Sequence, residues 1–183
     1  MQQTPSNIVL IGMPGAGKST VGVILAKETG REFVDTDLLI QTACGRMLQD
    51  IVDTDGYLVL REIEEEILRG LSVEQSVVAT GGSAVYSEPA MAHLANNGTI
   101  VFLEVELATL ERRVKDYSTR GLAKRPDQSF DDLFVERGAL YRRYAQVTIR
   151  CDELTMEEVC ERIIAAVCAI NPSPPGRRWP ALT

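Results

Sequence analysis

Residues 12–19 read GMPGAGKS, a full match to the pattern GxxxxGK[ST]. An apolar run at 7–12 precedes this turn and predicts a buried strand, and residues 18–29 carry apolar side chains at helical spacing before Gly30. Glycines here let successive backbone N–H groups converge on phosphate oxygens, while the following helix points its positive end at the same anion. Strand, turn and helix together predict a phosphate-binding loop.

Short apolar runs alternate with longer helical patterns along the rest of the chain. Residues 37–71 are predicted to be helical, with breaks near Gly45 and near Gly56. The other predicted strands lie at 33–36, 76–80, 99–104 and 147–150, and the other predicted helices at 88–96, 107–115, 134–144 and 156–170. This alternation predicts an α/β protein with a mostly parallel sheet.

Length and composition favour one globular domain. The chain has 183 residues and 45% hydrophobic side chains, so we expect a single domain over 1–170. Residues 116–132 are polar without a steady period and predict a mobile loop. Residues 171–183 hold four of the eight prolines, and we expect a disordered tail there.

Charge and cysteine usage exclude several kinds of partner. A net charge of −7 argues against nucleic acid, which needs a concentrated excess of Lys and Arg. No apolar run is long enough to cross a bilayer, and the first residues do not resemble a secretory signal. The four cysteines are scattered without a CxxC pair, so we expect free thiols and, without an export signal, a cytoplasmic location. An acidic surface without an obvious exposed apolar stripe favours a monomer.

A phosphate-binding loop alone does not distinguish a kinase from a GTPase. Residues 53–56 fit the DxxG pattern of GTPases, but the chain contains no Asn-Lys dipeptide and therefore no NKxD guanine signature. The HRD and DFG motifs of protein kinases are also missing. These observations favour a small-molecule kinase.

Two further pairs of residues carry unusual chemistry for their positions. Asp35 and Asp37 follow the second predicted strand, where α/β proteins bind ligands; they can serve a metal ion and accept a proton, or simply cap a helix. Arg61 and Glu64 are three residues apart and share a helix face, so Glu64 can orient the guanidinium; a solvated ion pair is the alternative.

The set GMPGAGKST, FVDTD, LREIEEE, TGGSAV, RGLA and ERGALYRRYA, in this order and spacing, resembles the shikimate kinase family over about residues 7–170. The resemblance implies a three-layer P-loop fold with a five-stranded parallel sheet flanked by helices. It also implies a substrate segment near 35–72 and a mobile lid near 116–132. The implied reaction is the transfer of phosphate from ATP, with Mg²⁺, to the 3-hydroxyl of shikimate.

The resemblance also implies a role for each matching residue. The catalytic residues would be Lys18, Asp37 and Arg120. ATP would be bound by Gly15, Ala16, Gly17, Lys18, Ser19 and Thr20, with Arg113 against adenine and Arg120 over the phosphates. Shikimate would be bound by Asp37, Arg61, Gly81, Gly82 and Arg137, with Glu64 in support. Ser19 and Asp35 would serve the metal.

The chain departs from the family pattern at two places. Ser83 stands where a third glycine is usual, and residues 120–123 read Arg-Gly-Leu-Ala instead of Arg-Pro-Leu-Leu. Two alternatives therefore stay open: a gluconate- or nucleotide-type kinase on the same scaffold, and a nucleotide-binding regulator without activity. Arg61 and Arg137 discriminate between acceptors, because they require a carboxylate that gluconate has and a nucleotide base lacks.

Overall fold

The computed structural model describes residues 6–113 and 121–171. Five strands are present: β1 (Asn7–Ile11), β2 (Glu32–Asp35), β3 (Ser76–Ala79), β4 (Gly98–Glu104) and β5 (Val147–Arg150). The helices of the described ranges are α1 (Lys18–Thr29), α2 (Thr36–Cys44), α3 (Leu48–Asp55), α4 (Tyr57–Gly70), α5 (Glu88–Asn97), α6 (Leu107–Arg113), α7 (Phe130–Tyr144) and α8 (Met156–Ile170). A 3₁₀ turn, Ala84–Tyr86, which the sequence did not predict, follows β3.

The strands form one parallel sheet in the order β2-β3-β1-β4-β5. β1 lies at the centre and is buried along its whole length, in keeping with its uninterrupted apolar sequence. The chain moves from β1 to one side of the sheet for β2 and β3, and then to the other side for β4 and β5. This change of direction leaves a crevice beyond the carboxyl end of β1, where such folds bind ligands.

Helices cover the sheet and complete the predicted α/β architecture. α1 packs on α8 and on β3, whereas α5 packs on α4 and on β4. The main core joins sheet residues such as Leu10 and Ile100 to helix residues such as Leu25 and Ile163. The predicted five-stranded parallel sheet of a P-loop fold is thereby confirmed, and each strand boundary lies within a residue of its prediction.

A smaller core supports the segment between β2 and β3. Ile40 of α2, Ile51 of α3 and Leu60 of α4 pack with Ala123, which follows the part of the chain that is not described. The predicted breaks near Gly45 and Gly56 separate these three helices. The helices and residue 123 are therefore held together independently of the main core.

The start of α7 corrects the predicted extent of the lid. The sequence places a loop up to residue 132, but α7 begins at Phe130. The Ser129 hydroxyl accepts the backbone N–H of Asp132, and the Asp132 carboxylate accepts the backbone N–H of Ser129. This capping box starts the helix inside a polar stretch that lacks helical periodicity, which explains the error.

Parts of several predictions lie outside the described residues. They are residues 1–5 of the predicted domain, residues 114–115 of the predicted helix 107–115, residues 116–120 of the predicted lid, with Arg120, and residues 172–183 of the predicted tail. Within the described ranges, no helix combines the length and apolar character needed to cross a bilayer.

Candidate functional site

The glycine-rich loop leads directly into α1. Gly17 precedes the helix with a φ of 95°, in the left-handed region that disfavours side chains. No side chain caps the first turn of α1, so its free N–H groups face the loop. Ala16 is buried, and its backbone N–H donates to Met13 O at 3.1 Å, which closes the turn. The loop therefore has the form of an anion-binding site at a helix N-terminus.

Lys18 closes the loop from the inside. Its side chain is only 9% exposed, and its Nζ donates to Gly12 O at 2.8 Å and to Met13 O at 3.0 Å. Burial lowers the pKa of Lys18 to about 8; Asp37 opposes this shift and Arg137 adds to it. A phosphate group beside Nζ would favour the charged ammonium, and it would accept a hydrogen bond from Nζ as the two carbonyl groups do.

Asp35 connects the loop to the start of α2. The Ser19 hydroxyl donates to Asp35 Oδ2 at 2.6 Å, and the backbone N–H of Asp37 donates to Asp35 Oδ1 at 3.0 Å. Asp35 therefore caps α2, as one interpretation of the sequence predicted, and it also faces Ser19; its role toward a metal ion stays a prediction. The two oxygens are hard ligands of the type that Mg²⁺ prefers.

A second group of carboxylates surrounds Gly81 beyond β3. A Cβ at Gly81 would collide with Glu64 Oε1 and would lie 2.7 Å from Asp37 Oδ1. Burial raises the pKa of Asp37, with Lys18 acting in the opposite direction and Asp35 adding to the rise. The bare backbone at Gly81 therefore allows two carboxyl groups to meet at the floor of the crevice.

Glu64 does not make the contact predicted for it. We expected it to orient Arg61 across one helix face, but no ion pair joins these two described residues. Glu64 is only 3% exposed and instead accepts a hydrogen bond from the Ser83 hydroxyl. Burial raises the pKa of Glu64 to about 7, against the lowering effect of the Ser83 hydrogen bond.

Arg61 and Arg137 converge on one backbone oxygen. The Nη2 atoms of both residues donate to Ala123 O at 2.9 Å. Arg137 is 1% exposed, and Gly82 leaves room for it, since a Cβ there would lie 2.8 Å from Arg137 Nη1. Among the described residues, the Nε atoms of both arginines are buried without a hydrogen-bond partner. Arg137 is buried and Arg61 is half-buried, and neither forms an ion pair within the described residues, so this part of the site suits an anion.

Comparison with known proteins identifies the family. The family model described as shikimate kinase matches residues 14–168. This chain belongs to the shikimate kinase family. The shikimate kinase of Chromohalobacter salexigens is 39% identical over 167 residues, which cover 90% of this chain and 92% of that protein. The shikimate kinase of Mycobacterium bovis is 37% identical over 168 residues, covering 90% of this chain and 95% of that protein.

The folds agree as well. A solved structure of shikimate kinase from Acinetobacter baumannii, in complex with shikimate, superposes with a TM-score of 0.85 at 31% identity. The match covers 93% of this chain and 97% of the Acinetobacter chain. The chain is therefore a kinase, and ATP is the phosphate donor that the family implies.

In this member of the shikimate kinase family, most of the predicted site residues line one cleft of about 590 Å³. The predicted residues that line it are Gly15, Gly17, Lys18, Ser19, Thr20, Asp37, Gly81, Gly82, Arg113 and Arg137. Ala16, Asp35 and Arg61 do not line it: Ala16 lies beneath the loop, Asp35 behind Ser19, and Arg61 beside Arg137 against the next pocket. Arg120 lies outside the described residues.

Sequence reasoning missed the groups that hold the arginines. The Ala123 carbonyl accepts from both of them, and the Tyr86 ring lies against both. A backbone oxygen cannot be recognised in a sequence, and a single tyrosine after an apolar run gives no periodic signal.

Among the described residues, no group of three or more His, Cys, Asp or Glu side chains could hold a metal ion.

Proposed function

We propose that this kinase transfers the γ-phosphoryl group of ATP to the 3-hydroxyl of shikimate, giving shikimate 3-phosphate and ADP. The observation that carries the proposal is the pair of adjacent arginines, neither of them in an ion pair within the described residues, in a site joined to a phosphate-binding loop. Such a site suits an acceptor that has both a carboxylate and a hydroxyl group. The Acinetobacter relative, which was solved with shikimate, has the same fold.

The loop would bind the ATP phosphates. Backbone N–H groups of residues 15–20 and the uncapped start of α1 offer donors, and Lys18 adds a full positive charge. Without a ligand, Lys18 donates to the carbonyl groups of Gly12 and Met13. The phosphates would replace these weak acceptors, so the lysine moves little when ATP binds. We assign Arg113, at the end of α6 on the edge of the cleft, to the adenine.

Ser19 and Asp35 fit a magnesium ion that accompanies ATP. Their oxygens already lie 2.6 Å apart, one a hydroxyl and one a carboxylate. Mg²⁺ is usually held by one or two protein oxygens together with phosphates and waters, so a larger acidic cluster is not needed. When bound, the ion would neutralise charge on the phosphate oxygens.

Arg137 and Arg61 would bind the carboxylate of the acceptor. Each has an unpartnered Nε–H and shares the weak acceptor Ala123 O, so a carboxylate would add charge-assisted hydrogen bonds. Backbone atoms of Gly81 and Gly82 would lie against the ring, since neither has a side chain to exclude it. Anchoring by the carboxylate would fix the hydroxyl near Asp37.

Asp37 would accept the hydroxyl proton. Its pKa is raised by burial, which makes the carboxylate a stronger base than an exposed aspartate. As the bond between the acceptor oxygen and the γ-phosphorus forms, the bond to the ADP oxygen breaks and the proton passes to Asp37. Lys18 would stabilise the charge that develops on the phosphoryl oxygens. We assign Arg120 the same task from above, on the strength of the family motif.

All of the proposed groups belong to one chain, so we propose that the kinase works as a monomer. Release of ADP from ATP and Mg²⁺ tests the function, with shikimate, quinate, gluconate or AMP as acceptor. We expect stimulation by shikimate alone. Strong stimulation by gluconate or AMP would favour the alternative kinases instead.

Arg137→Met tests the acid site. We expect it to raise the KM for shikimate at least a hundredfold, because it removes a buried partner of the carboxylate. The KM for ATP should stay within about threefold. Arg143→Met is the matched control, since Arg143 lies on the same helix with an exposed side chain. An Arg137→Met enzyme with an unchanged KM for shikimate would remove this residue from the acid site.

A further inference from the structure

We propose that Tyr86 is a positioning residue for the acid-binding arginines, which its ring holds side by side. The Cζ atom of Arg61 lies 3.5 Å from the centroid of the Tyr86 ring, and the Cζ atom of Arg137 lies 5.4 Å from it. Tyr86 itself lines the pocket next to the main cleft and does not line the main cleft. The inference rests on the proposed function, because it assumes that the two arginines bind a carboxylate.

Two neighbouring guanidinium groups need a group that offsets their repulsion. Burial lowers the pKa of Arg61, and the charge of Arg137 lowers it further. Neither arginine forms an ion pair within the described residues. The face of an aromatic ring is negative and attracts both cations without competing for the N–H groups that would bind a carboxylate. A carboxylate side chain in the same place would occupy those N–H groups.

Tyr86 is fixed on both sides. It ends the 3₁₀ turn Ala84–Tyr86, which follows the glycines that close on Arg137, so the backbone places the ring next to the acid site. At the other end, the phenol donates a hydrogen bond to Glu136 Oε1, and Glu136 also accepts from Gln128 Nε2 at 2.9 Å. Burial and the Glu136 carboxylate raise the pKa of Tyr86, which keeps the phenol protonated and able to donate.

The position of Glu136 connects this contact to Arg137. Glu136 precedes Arg137 on α7, so the hydrogen bond from Tyr86 joins the 3₁₀ turn to the helix that carries the buried arginine. The ring then sets the distance of Arg61, which comes from α4, to Arg137. Without the Tyr86 ring, Arg61 would still have its hydrogen bond to Ala123 O and the Tyr57 ring, whose centroid lies 5.2 Å from its Cζ atom. Its distance from Arg137 would be less well fixed, which would weaken the binding of an acid.

The test compares Tyr86→Leu, which removes the ring, with Tyr86→Phe, which keeps the ring and loses only the hydroxyl. We expect Tyr86→Leu to raise the KM for shikimate roughly tenfold, an effect between those of an exposed and a fully desolvated cation–π contact. The KM for ATP and kcat should stay within about twofold, and Tyr86→Phe should stay within about threefold of wild type in all three constants. Tyr86→Met replaces Tyr86→Leu if leucine lowers the melting temperature.

Shikimate methyl ester distinguishes a positioning role of Tyr86 from a general structural role, because only a positioning role weakens the acid and not the ester. The ester lacks the charge that the arginines bind, so its inhibition constant should not change in Tyr86→Leu while the KM for the acid rises. Equal weakening of acid and ester, or an unchanged KM for the acid, would overturn the role of Tyr86. A Tyr86→Phe enzyme with the same rise in KM for shikimate as Tyr86→Leu would also overturn it, because the ring would then not be the group that matters. A wild-type enzyme without response to shikimate would overturn the proposed function itself.

Discussion

Gly81 is a residue whose missing side chain leaves room for two carboxylates. Oxygens of Glu64 and Asp37 occupy the space that a Cβ would need, and its backbone N–H donates to Thr36 Oγ1 at 3.1 Å. Glu64 is buried and accepts a hydrogen bond from Ser83, and Asp37 lies in the first turn of α2, so an added methyl group would have to displace at least one of these two side chains. The arrangement of the two carboxylates therefore depends on the absence of a Cβ atom at Gly81.

We predict that Gly81→Ala lowers kcat/KM for shikimate on the order of a hundredfold, because the added methyl displaces Asp37. Overpacking should also destabilise the fold by about 1–3 kcal/mol. Gly70→Ala is the control, since no heavy atom lies within 4 Å of a Cβ at that position. Steady-state kinetics and thermal unfolding measure both effects. A Gly81→Ala enzyme with wild-type kinetics would show that the two carboxylates do not shape the acceptor site.

Glu64 makes the stability of the protein depend on pH. The carboxyl is faced by the Ser83 hydroxyl, by Asp37, and by the cations of Arg137 and Lys18, and burial still raises its pKa from 4.5 to about 7. The folded protein therefore keeps a proton that the unfolded chain gives up near pH 4.5. The native state loses stability as the pH rises between these two values, by roughly 3 kcal/mol in total.

Glu64→Gln should remove this dependence. We predict that the free energy of unfolding of the variant gains on that of wild type as the pH rises from 5 to 8. Urea denaturation at several pH values measures the difference, and Glu66→Gln, an exposed position on the same helix, is the control. Parallel curves for wild type and Glu64→Gln would mean that the carboxyl is ionised throughout this range.

The residue scale is also where sequence reasoning reached its limit. Lys18, Ser19 and Asp35 were predicted to lie together, and they do, because the phosphate-binding loop and the strand ends constrain their positions. The partner of Glu64 was predicted wrongly. Helical spacing offered Arg61, whereas the nearer partner, Ser83, comes from a turn beyond the next strand. Contacts of that range depend on the packed fold.

At the scale of elements, the starts of α1 and α7 differ in how their N–H groups are satisfied. The first turn of α7 is closed by a capping box from Ser129 and Asp132, whereas the first turn of α1 has no side-chain cap. An uncapped helix start that faces a cleft keeps N–H groups available for an anion. Under the proposed function, the phosphates of ATP would be the partners of the N–H groups at the start of α1.

We predict that ADP slows amide hydrogen exchange at residues 15–20 by about tenfold or more, because phosphate oxygens become partners of these N–H groups. Residues 129–134, at the capped start of α7, should exchange at the same rate with and without ADP. Mass spectrometry of peptides from the two segments measures the contrast. Equal protection at both helix starts would contradict an assignment of the phosphates to the loop.

The boundaries of elements were predictable where the pattern is local. Glycine breaks at Gly45 and Gly56 divided the helical stretch as expected, since both adopt a positive φ. The start of α7 was missed because its cap lies in a polar stretch. The strand order was not predicted at all, since β-strand neighbours are chosen by packing between distant parts of the chain.

At the scale of the whole molecule, the sheet order brings the two halves of the site together. β1 supplies the phosphate-binding loop, its neighbour β3 leads to the glycines, and β2 leads to the aspartates. α7 returns Arg137 to the same cleft from the far end of the sequence. Under the proposed function, the phosphate donor and the acceptor would therefore meet in one cleft formed by a single chain, and this is the central claim.

Phosphorus NMR of a mixture of the protein, ATP, Mg²⁺ and shikimate tests that claim most directly. We predict loss of the γ-phosphate signal and the growth of one phosphomonoester signal coupled to the proton on carbon 3 of shikimate, in equal amount to the ADP formed. A monoester at another hydroxyl, or ADP formed with inorganic phosphate alone, would contradict the proposed alignment of the 3-hydroxyl with Asp37 and the phosphate-binding loop.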